Sequence, residues 1–174
     1  MATLYHNISG ELSTEILAPG DRMNVSSISF ANVNTYKHVL LDFFMKKPET
    51  GRYYLLKNVN IPAGASYVYD TIVNNRVGEF GLYVKLKAAD TFTLTGTIDV
   101  STGGAGLTSV PGTNTLFTKE LTIGDSILVT GETRIIESIT SDTVATVTVA
   151  FGSDLANDTD PECIPTALVD VIIS

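Results

Sequence analysis

The chain has 174 residues, a net charge of −8, 44% hydrophobic residues and one cysteine. At this length it forms either one β-sandwich or two small domains, with enough apolar residues for a core. The single thiol, Cys163, excludes an internal disulfide and a zinc site built from several thiolates. No window reaches the roughly 18 uninterrupted apolar residues that a membrane-spanning helix requires. Residues Met1–His6 lack the charged segment and apolar core of a secretory signal, so we expect a product that is kept or assembled in a cytoplasm.

The charge is distributed unevenly along the chain. Residues 1–96 carry nine Lys and Arg against eight Asp and Glu, whereas residues 97–174 carry two against eleven. These balances of +1 and −9 indicate two modules, and all seven tyrosines precede residue 84. An acidic half argues against a nucleic-acid partner, because phosphate neutralisation needs clustered Lys and Arg.

The first half reads as a series of strands. Ile8–Thr14 predicts a short strand, and Met23–Val33 predicts a longer one with a bulge at Ser27. His38–Met45 is apolar on both faces, with Val39, Leu41 and Phe43 on one side and Leu40 and Phe44 on the other. Such a strand needs cover on both sides, and a sandwich covers only one. We therefore predict that a loop, the second module or another protein chain covers Leu40 and Phe44.

The stretch Tyr53–Asp70 predicts a strand, a tight turn and a second strand. Its first strand is expected to place Tyr53, Leu55, Val59 and Ile61 on one face and Tyr54, Leu56, Asn58 and Asn60 on the other. Pro62 and Gly64 are typical of a turn, in which Gly64 supplies the positive φ.

Gly81–Lys87 shows the clearest alternation, with Leu82, Val84 and Leu86 inward and Tyr83, Lys85 and Lys87 outward. Thr91–Thr95 follows as a strand with Phe92 and Leu94 inward. Strands at this spacing favour a Greek-key sandwich of about seven strands.

The second half begins after the only glycine cluster, Ser101–Gly106, which is the best candidate linker and lacks the features of a phosphate-binding loop. Four or five short strands follow, separated by turns at Gly124, Gly131 and Ser141, and they suit a small barrel. Thr166–Ser174 is a last strand, which either completes the barrel or returns to the sandwich. We favour the return, which makes the barrel an insertion, because lengthening a loop costs little entropy.

We therefore expect an all-β fold with almost no helix. Residues 1–96 would form a Greek-key sandwich of the Ig-like or jelly-roll-like kind, closed by strand 166–174. Residues 97–165 would form a small, inserted acidic β-barrel module.

Two segments resemble known structural proteins. Tyr53–Asp70, with its Ile-Pro-Ala-Gly turn, and the last strand Val169–Ile173 resemble small β-sandwich virion proteins of tailed bacteriophages. Gly112–Thr143, through Leu121-Thr-Ile-Gly-Asp-Ser-Ile and Ile139-Thr-Ser-Asp-Thr, is similar to a β-module of phage decoration, tail and fibre proteins. The resemblance implies a virion structural protein without catalytic residues. It would be a capsid decoration (cement) protein, bound to the major capsid protein or other virion subunits, with a homo-oligomer expected. The alternatives are a neck or tail accessory protein and a glycan- or receptor-binding module of a tail fibre.

Chemical sites receive less support. Asp154–Glu162 is rich in oxygen ligands but lacks calcium-loop spacing, so a solvated turn is favoured. His6 and His38 show no metal-ligand spacing, and no nucleophile–base arrangement indicates an enzyme. We expect neither a cofactor nor a membrane partner.

The aromatic residues are the remaining candidates for function. Tyr53, Tyr54, Tyr67, Tyr69 and Tyr83 fit sheet packing, a protein interface or, less readily, a glycan-binding face. The candidate protein interface therefore consists of Leu40, Phe44, Tyr53, Tyr54, Tyr67, Tyr69 and Tyr83.

Overall fold

The computed structural model describes residues 3–21, 24–47, 51–71, 73–74, 79–100, 108–152 and 158–174. It confirms an all-β, sandwich-like chain, in which the described helix is a single turn. In chain order the elements are β1 (Leu4–Ser9), β2 (Thr14–Leu17), β3 (Asn24–Val25), β4 (Ile28–Asn32), β5 (Val39–Lys46), β6 (Arg52–Ile61), β7 (Ser66–Tyr69), β8 (Val73–Asn74), β9 (Gly81–Ala88), β10 (Phe92–Thr93), β11 (Thr97–Ile98), β12 (Ser109–Thr113), α1 (Phe117–Glu120), β13 (Ser126–Val129), β14 (Glu132–Ser141), β15 (Val144–Val147), β16 (Glu162–Ile164) and β17 (Leu168–Ile173).

The chain divides into two compact units. The first unit comprises residues 1–89 and 167–174, and the second comprises residues 90–166. The last strand, β17, pairs with β1 and β4 of the first unit. The second unit therefore lies within the sequence of the first.

The first unit is a sandwich of two four-stranded antiparallel sheets. The first sheet has the order β1-β17-β4-β7, and the second has the order β2-β9-β5-β6. Their inner faces share one core, in which the Phe30 and Phe43 rings lie 5.5 Å apart and Tyr69 meets Phe43 edge-on at 5.4 Å. The predicted alternation of β9 is confirmed, because Leu82, Val84 and Leu86 are fully buried in this core.

A tight turn carries the chain from one sheet to the other between β6 and β7. Gly64 has the predicted positive φ of 66°, and the Ala65 N–H donates to the Pro62 carbonyl at 3.1 Å. Asn32 lies beneath this turn with 2% exposure, and its side-chain amide donates to the Ile61 carbonyl at 3.0 Å and the Pro62 carbonyl at 3.2 Å. The two strands flanking Pro62 therefore belong to different sheets.

The strict alternation predicted for β6 is wrong. Its pairing with β5 shifts register between Leu41 and Phe43 and again between Phe43 and Phe44. At the first irregularity Asn58 has a φ of 51° and its N–H donates to the Asp42 carboxylate at 2.8 Å. Extra residues on one strand change which face the following side chains occupy. Leu55 and Leu56 consequently both pack against the core.

The strand boundaries near the N-terminus also differ from those predicted. The segment Ile8–Thr14 is not one strand, because β1 ends at Ser9 in the first sheet and β2 begins at Thr14 in the second. Gly10, with a φ of 82°, lies in the connection between them. The predicted strand Met23–Val33 is divided at Ser26 and Ser27, whose N–H groups both donate to the main-chain oxygen of Ser174.

The second unit is a small barrel around its own core. Its strands pair in the order β10-β16-β13-β14-β15-β12-β11. Ile98 of β11 also pairs with Asp158, just before β16, so the sheet closes on itself. Thr130 and Gly131, both with positive φ, form the two-residue turn between β13 and β14. A helical turn, α1, follows β12.

The structural boundary between the units precedes the predicted one. Phe92 and Leu94 face inward as expected, but they pack in the barrel core and not in the sandwich. Hydrophobic alternation indicates that a residue is buried without indicating which core buries it. The predicted linker Ser101–Gly106 lies outside the described residues.

Candidate interaction surface

The two sheets of the sandwich differ sharply in charge. The four strands of the first sheet contain one charged residue, Asp170. The four strands of the second sheet contain seven, of which five are cations: Lys46, Arg52, Lys57, Lys85 and Lys87. The outer face of the second sheet is therefore the distinctive surface of this unit, and we call these five cations together with Phe44, Tyr54 and Tyr83 the aromatic–cationic face.

Three aromatic rings form the centre of this face. Register places Phe44 between Tyr54 on β6 and Tyr83 on β9. The Tyr83 ring stacks on Phe44 with centroids 5.8 Å apart and 14° between the planes, and the Tyr54 ring is tilted at 5.5 Å. Phe44 is only 1% exposed although it points away from the sandwich core. Side chains of its own sheet provide the cover.

This arrangement corrects the prediction about the cover of the two-sided strand. We expected a loop, the second module or another protein chain over Leu40 and Phe44. Instead the rings of Tyr54 and Tyr83 and the guanidinium of Arg52, 4.8 Å from the Phe44 centroid, cover Phe44. Leu40 remains half-buried on the same side.

Cations lie directly on the aromatic cluster. The Lys57 ammonium is 4.3 Å from the centroid of the Tyr54 ring, and Arg52 lies over Phe44. Such contacts are attractive because the ring faces are electron-rich. They hold positive charge above an apolar patch, and Tyr54 remains 40% exposed beside it. The face therefore presents apolar area and positive charge together.

The acidic groups on this side are engaged within the sheet. The Tyr83 hydroxyl donates to Glu15 at 2.5 Å, and the Asp42 carboxylate accepts the Asn58 N–H at 2.8 Å. The hydrogen bond to Glu15, followed by burial and the negative charge of Glu15, raises the pKa of Tyr83 to about 12. The hydrogen bond to Glu15 holds the Tyr83 ring over Phe44.

The predicted interface residues separate into two groups. Leu40, Phe44, Tyr54 and Tyr83 lie on the outer face of the second sheet. Tyr53 lies on the other side of the sheet, because it pairs with Met45, which packs against the core. Its side chain is 52% exposed, with the ring edge-on to Phe80 at 5.8 Å.

Tyr67 and Tyr69 do not join this group. They belong to β7 of the first sheet, where they pack against the core. The cations of the face were missed as site residues. Their signal was present, because the alternation of β9 already placed Lys85 and Lys87 beside Tyr83.

A small polar depression lies at the other end of the face. It has a volume of about 160 Å³ and is lined by Glu11, Leu40, Asp42, Asn58, Lys85, Leu86 and Lys87. Glu11 uses one carboxylate oxygen to accept the Ala88 N–H at 2.9 Å. A space of this size suits a single side chain of a partner better than a drug-sized ligand.

The cysteine and its acidic neighbour have structural surroundings. Cys163 is fully buried in the barrel, with Sγ 3.8 Å from the Asp125 carboxylate. Asp125, 1% exposed, accepts the N–H of Thr122 at 2.7 Å and that of Thr166 at 2.9 Å. Burial at this depth keeps solvent and reagents from the thiol.

The described residues contain no group of three or more His, Cys, Asp or Glu side chains arranged to hold a metal ion. Part of the acidic segment Asp154–Glu162 lies outside the described residues. In its described part, Asp158 accepts the Thr130 N–H at 2.5 Å and the Asp160 N–H at 2.9 Å, so its carboxylate serves the local turn. None of the described helices is long and apolar enough to cross a membrane.

Comparisons of the chain with protein-family models, with curated proteins and with solved structures found no match.

Proposed function

We propose that this chain is a non-enzymatic structural protein of a tailed-phage virion, and that it docks on other virion subunits through the aromatic–cationic face. Within the virion we favour a capsid decoration role, with a neck or tail accessory as the alternative position. The virion assignment is supported by the resemblance of Tyr53–Asp70 and Gly112–Thr143 to phage structural proteins. The mode of attachment is supported by the face itself.

The observation that carries the docking proposal is the combination of rigid aromatic area with positive charge. Tyrosine and arginine are the residues that contribute most to protein interfaces. Here Tyr54, Tyr83 and Arg52 are held in place by Phe44, so little side-chain entropy is lost on binding. The strands β5, β6 and β9 have 8 to 10 residues, which gives a face of roughly 400 Å² at ordinary strand spacing. That is about half of the roughly 800 Å² that each partner contributes to a standard interface, so affinity would come from repeated copies on the particle.

A glycan-binding role receives less support from the geometry. A sugar ring that stacks on an aromatic side chain needs an open ring face. Here Lys57 lies over one face of Tyr54, and one face of Tyr83 is stacked on Phe44, so these ring faces are already occupied. Binding of the isolated chain to a glycan array would favour this role over docking.

Mass spectrometry of purified particles of the encoding phage tests the assignment. We expect the chain in the particle, with its copy number measured against the major capsid protein. Hundreds of copies support decoration, and a dozen or fewer support a neck or tail position. Absence from the particle overturns the proposal.

Charge reversal tests the face itself. Lys46 and Lys57 are both exposed, so the double variant Lys46→Glu, Lys57→Glu should fold normally. We expect it to bind particles lacking the protein at least tenfold more weakly than the unchanged chain, with binding by the unchanged chain also falling as salt rises. Lys119→Glu, on the barrel, is the matched control and should bind normally. Equal binding by the double variant would exclude this face.

A further inference from the structure

The outer face of the first sheet is a second candidate surface, and it differs from the aromatic–cationic face in being almost uncharged. Three large apolar side chains on it are exposed: Tyr5 by 72%, Val68 by 56% and Ile172 by 42%. Register places them in one row across the sheet, from Tyr5 to Ile172, then Ser29, then Val68. We call this row and its neighbours the neutral face.

The rest of the neutral face carries mostly small side chains. The adjacent outward row consists of Asn7, Asp170, Ala31 and Ser66. Asp170 is the one charged residue in the four strands, and its carboxylate accepts the Asn7 amide N–H at 2.6 Å. A depression of about 390 Å³ runs beside the exposed Tyr5, between β1 and β17, lined in part by Asn7 and Ile172.

We infer that the neutral face is a self-association surface, whose occupant is the same face of a second copy of this chain. In a two-fold symmetric contact, the same face of both copies comes together. A face that carries net charge would therefore be repelled by the same face of the second copy. The second sheet, with five cations against two acids in its strands, is excluded from such pairing by this argument. The neutral face carries almost no charge, although the net charge of the chain is −8. Two copies can therefore bring this face together without repulsion between the faces.

The shape of the face agrees with pairing to itself. Tyr5 projects beside the depression between β1 and β17, so each copy offers both a projecting side chain and a recess. The strands have 4 to 6 residues, which gives a contact of roughly 300–400 Å² on each copy at ordinary strand spacing. This is below the standard interface size, so the dimer is weak and forms at high protein concentration.

Sedimentation equilibrium of the full chain tests this inference without any particle. We expect a concentration-dependent monomer–dimer equilibrium that strengthens from about 50 mM to about 300 mM salt, because salt screens the repulsion between two acidic copies. Ile172→Lys and Val68→Lys, each at an exposed position, should each weaken the dimer at least tenfold. Their circular dichroism and urea midpoints, measured alongside, identify the properly folded variants.

The variant Lys46→Glu, Lys57→Glu, measured at about 300 mM salt where its added negative charge is screened, is the matched control and should dimerise as the unchanged chain does. Three results would overturn the inference: a monomer at every concentration, dimers unaffected by both lysine substitutions in folded protein, or dimers abolished by the control. The last result would place the contact on the second sheet. None of these outcomes depends on attachment to a particle, so the inference and the proposed function fail separately.

Discussion

The Tyr83 ring stacks on the Phe44 ring at a centroid distance of 5.8 Å, on the side of the second sheet that faces away from the sandwich core. This contact explains how an apolar side chain on an outer face is 99% shielded within a single chain. It also makes the face rigid, because Tyr54 and Arg52 rest on the same ring. The proposed docking uses this preorganised cluster.

Truncating Phe44 should destabilise the sandwich. Phe44→Ala removes the ring on which Tyr54, Tyr83 and Arg52 rest, and we expect the free energy of unfolding in urea to fall by about 3 kcal/mol, the lower end for buried phenylalanine. Tyr53→Ala is the matched control. Because Tyr53 is half exposed, it should cost less than about 1 kcal/mol. Equal losses in the two variants would show that the cluster contributes no special stability.

The contact between Tyr83 and Glu15 should produce a pH dependence at the alkaline end. The pKa of Tyr83 is raised from 10.0 to about 12 in the folded chain, so the neutral phenol is favoured by folding. Its contribution to stability is complete below pH 10 and is lost as the pH rises through about 12.

We therefore expect urea midpoints measured from pH 9 to pH 12 to fall more steeply in the unchanged chain than in Tyr83→Phe. Ultraviolet titration of the folded chain should resolve a tyrosine that ionises near pH 12 and is missing in Tyr83→Phe. Identical titration curves for the two proteins would contradict this assignment.

Asn32 should be among the most sensitive polar positions. It is 2% exposed, and its amide group donates to the carbonyls of Lys37, Ile61 and Pro62 while its oxygen accepts the Asn34 N–H at 3.0 Å. Asn32→Ala leaves these buried groups without partners, which should cost about 2–3 kcal/mol.

The loss should be confined to the sandwich, because the barrel has a separate core. The rate at which a thiol reagent labels the buried Cys163 in urea reports on the barrel alone, and we expect its midpoint to be unchanged in Asn32→Ala. A joint shift of the circular dichroism and thiol midpoints would show that the two units unfold together.

The helical turn in the barrel should weaken in acid. Asp142 accepts the N–H of Thr118 at 3.1 Å and also its hydroxyl hydrogen, and the Asp142 main-chain carbonyl accepts the Phe117 N–H at 3.1 Å. The hydrogen bond from the Thr118 side chain is the main cause that lowers the pKa of Asp142 below 3.8. A carboxyl group whose pKa is lower in the folded chain than in the unfolded chain stabilises the fold above its unfolded-state pKa. This stabilisation is lost as the pH falls through the folded-state pKa.

We expect Asp142→Ala to lower the urea midpoint for Cys163 labelling at neutral pH. The difference from the unchanged chain should shrink below pH 3.8. Thr118→Ala should act in the same direction. A difference that stays constant across this range would mean that the carboxylate charge has no role in the cap.

The sequence predicts the fold class well because its signals are local. Alternation in Gly81–Lys87 correctly predicted three buried and three outward side chains, and the turn chemistry of Gly64 correctly predicted a positive φ. Both follow from a few consecutive residues. The same reasoning placed Lys85 and Lys87 outward beside Tyr83, without recognising that they form part of one surface.

What the sequence did not predict depends on contacts between distant segments. The bulge at Asn58 exists because Asp42, on another strand, accepts its N–H. The cover over Phe44 comes from β6 and β9, and the inward direction of Tyr67 and Tyr69 comes from pairing of β7 with β4. The neutral face was not predicted, because Tyr5 and Ile172 lie at opposite ends of the chain and become neighbours only when β1 pairs with β17.

The most direct test of docking through the aromatic–cationic face is lysine labelling of the chain when free and when bound in the phage particle. An amine-reactive reagent should label Lys46 and Lys57 in the free chain, where both are exposed. We expect the particle to protect these two lysines strongly, while the barrel residue Lys119 stays equally reactive in both states. Equal labelling of Lys46 and Lys57 in both states, or protection of Lys119 instead, would contradict the account.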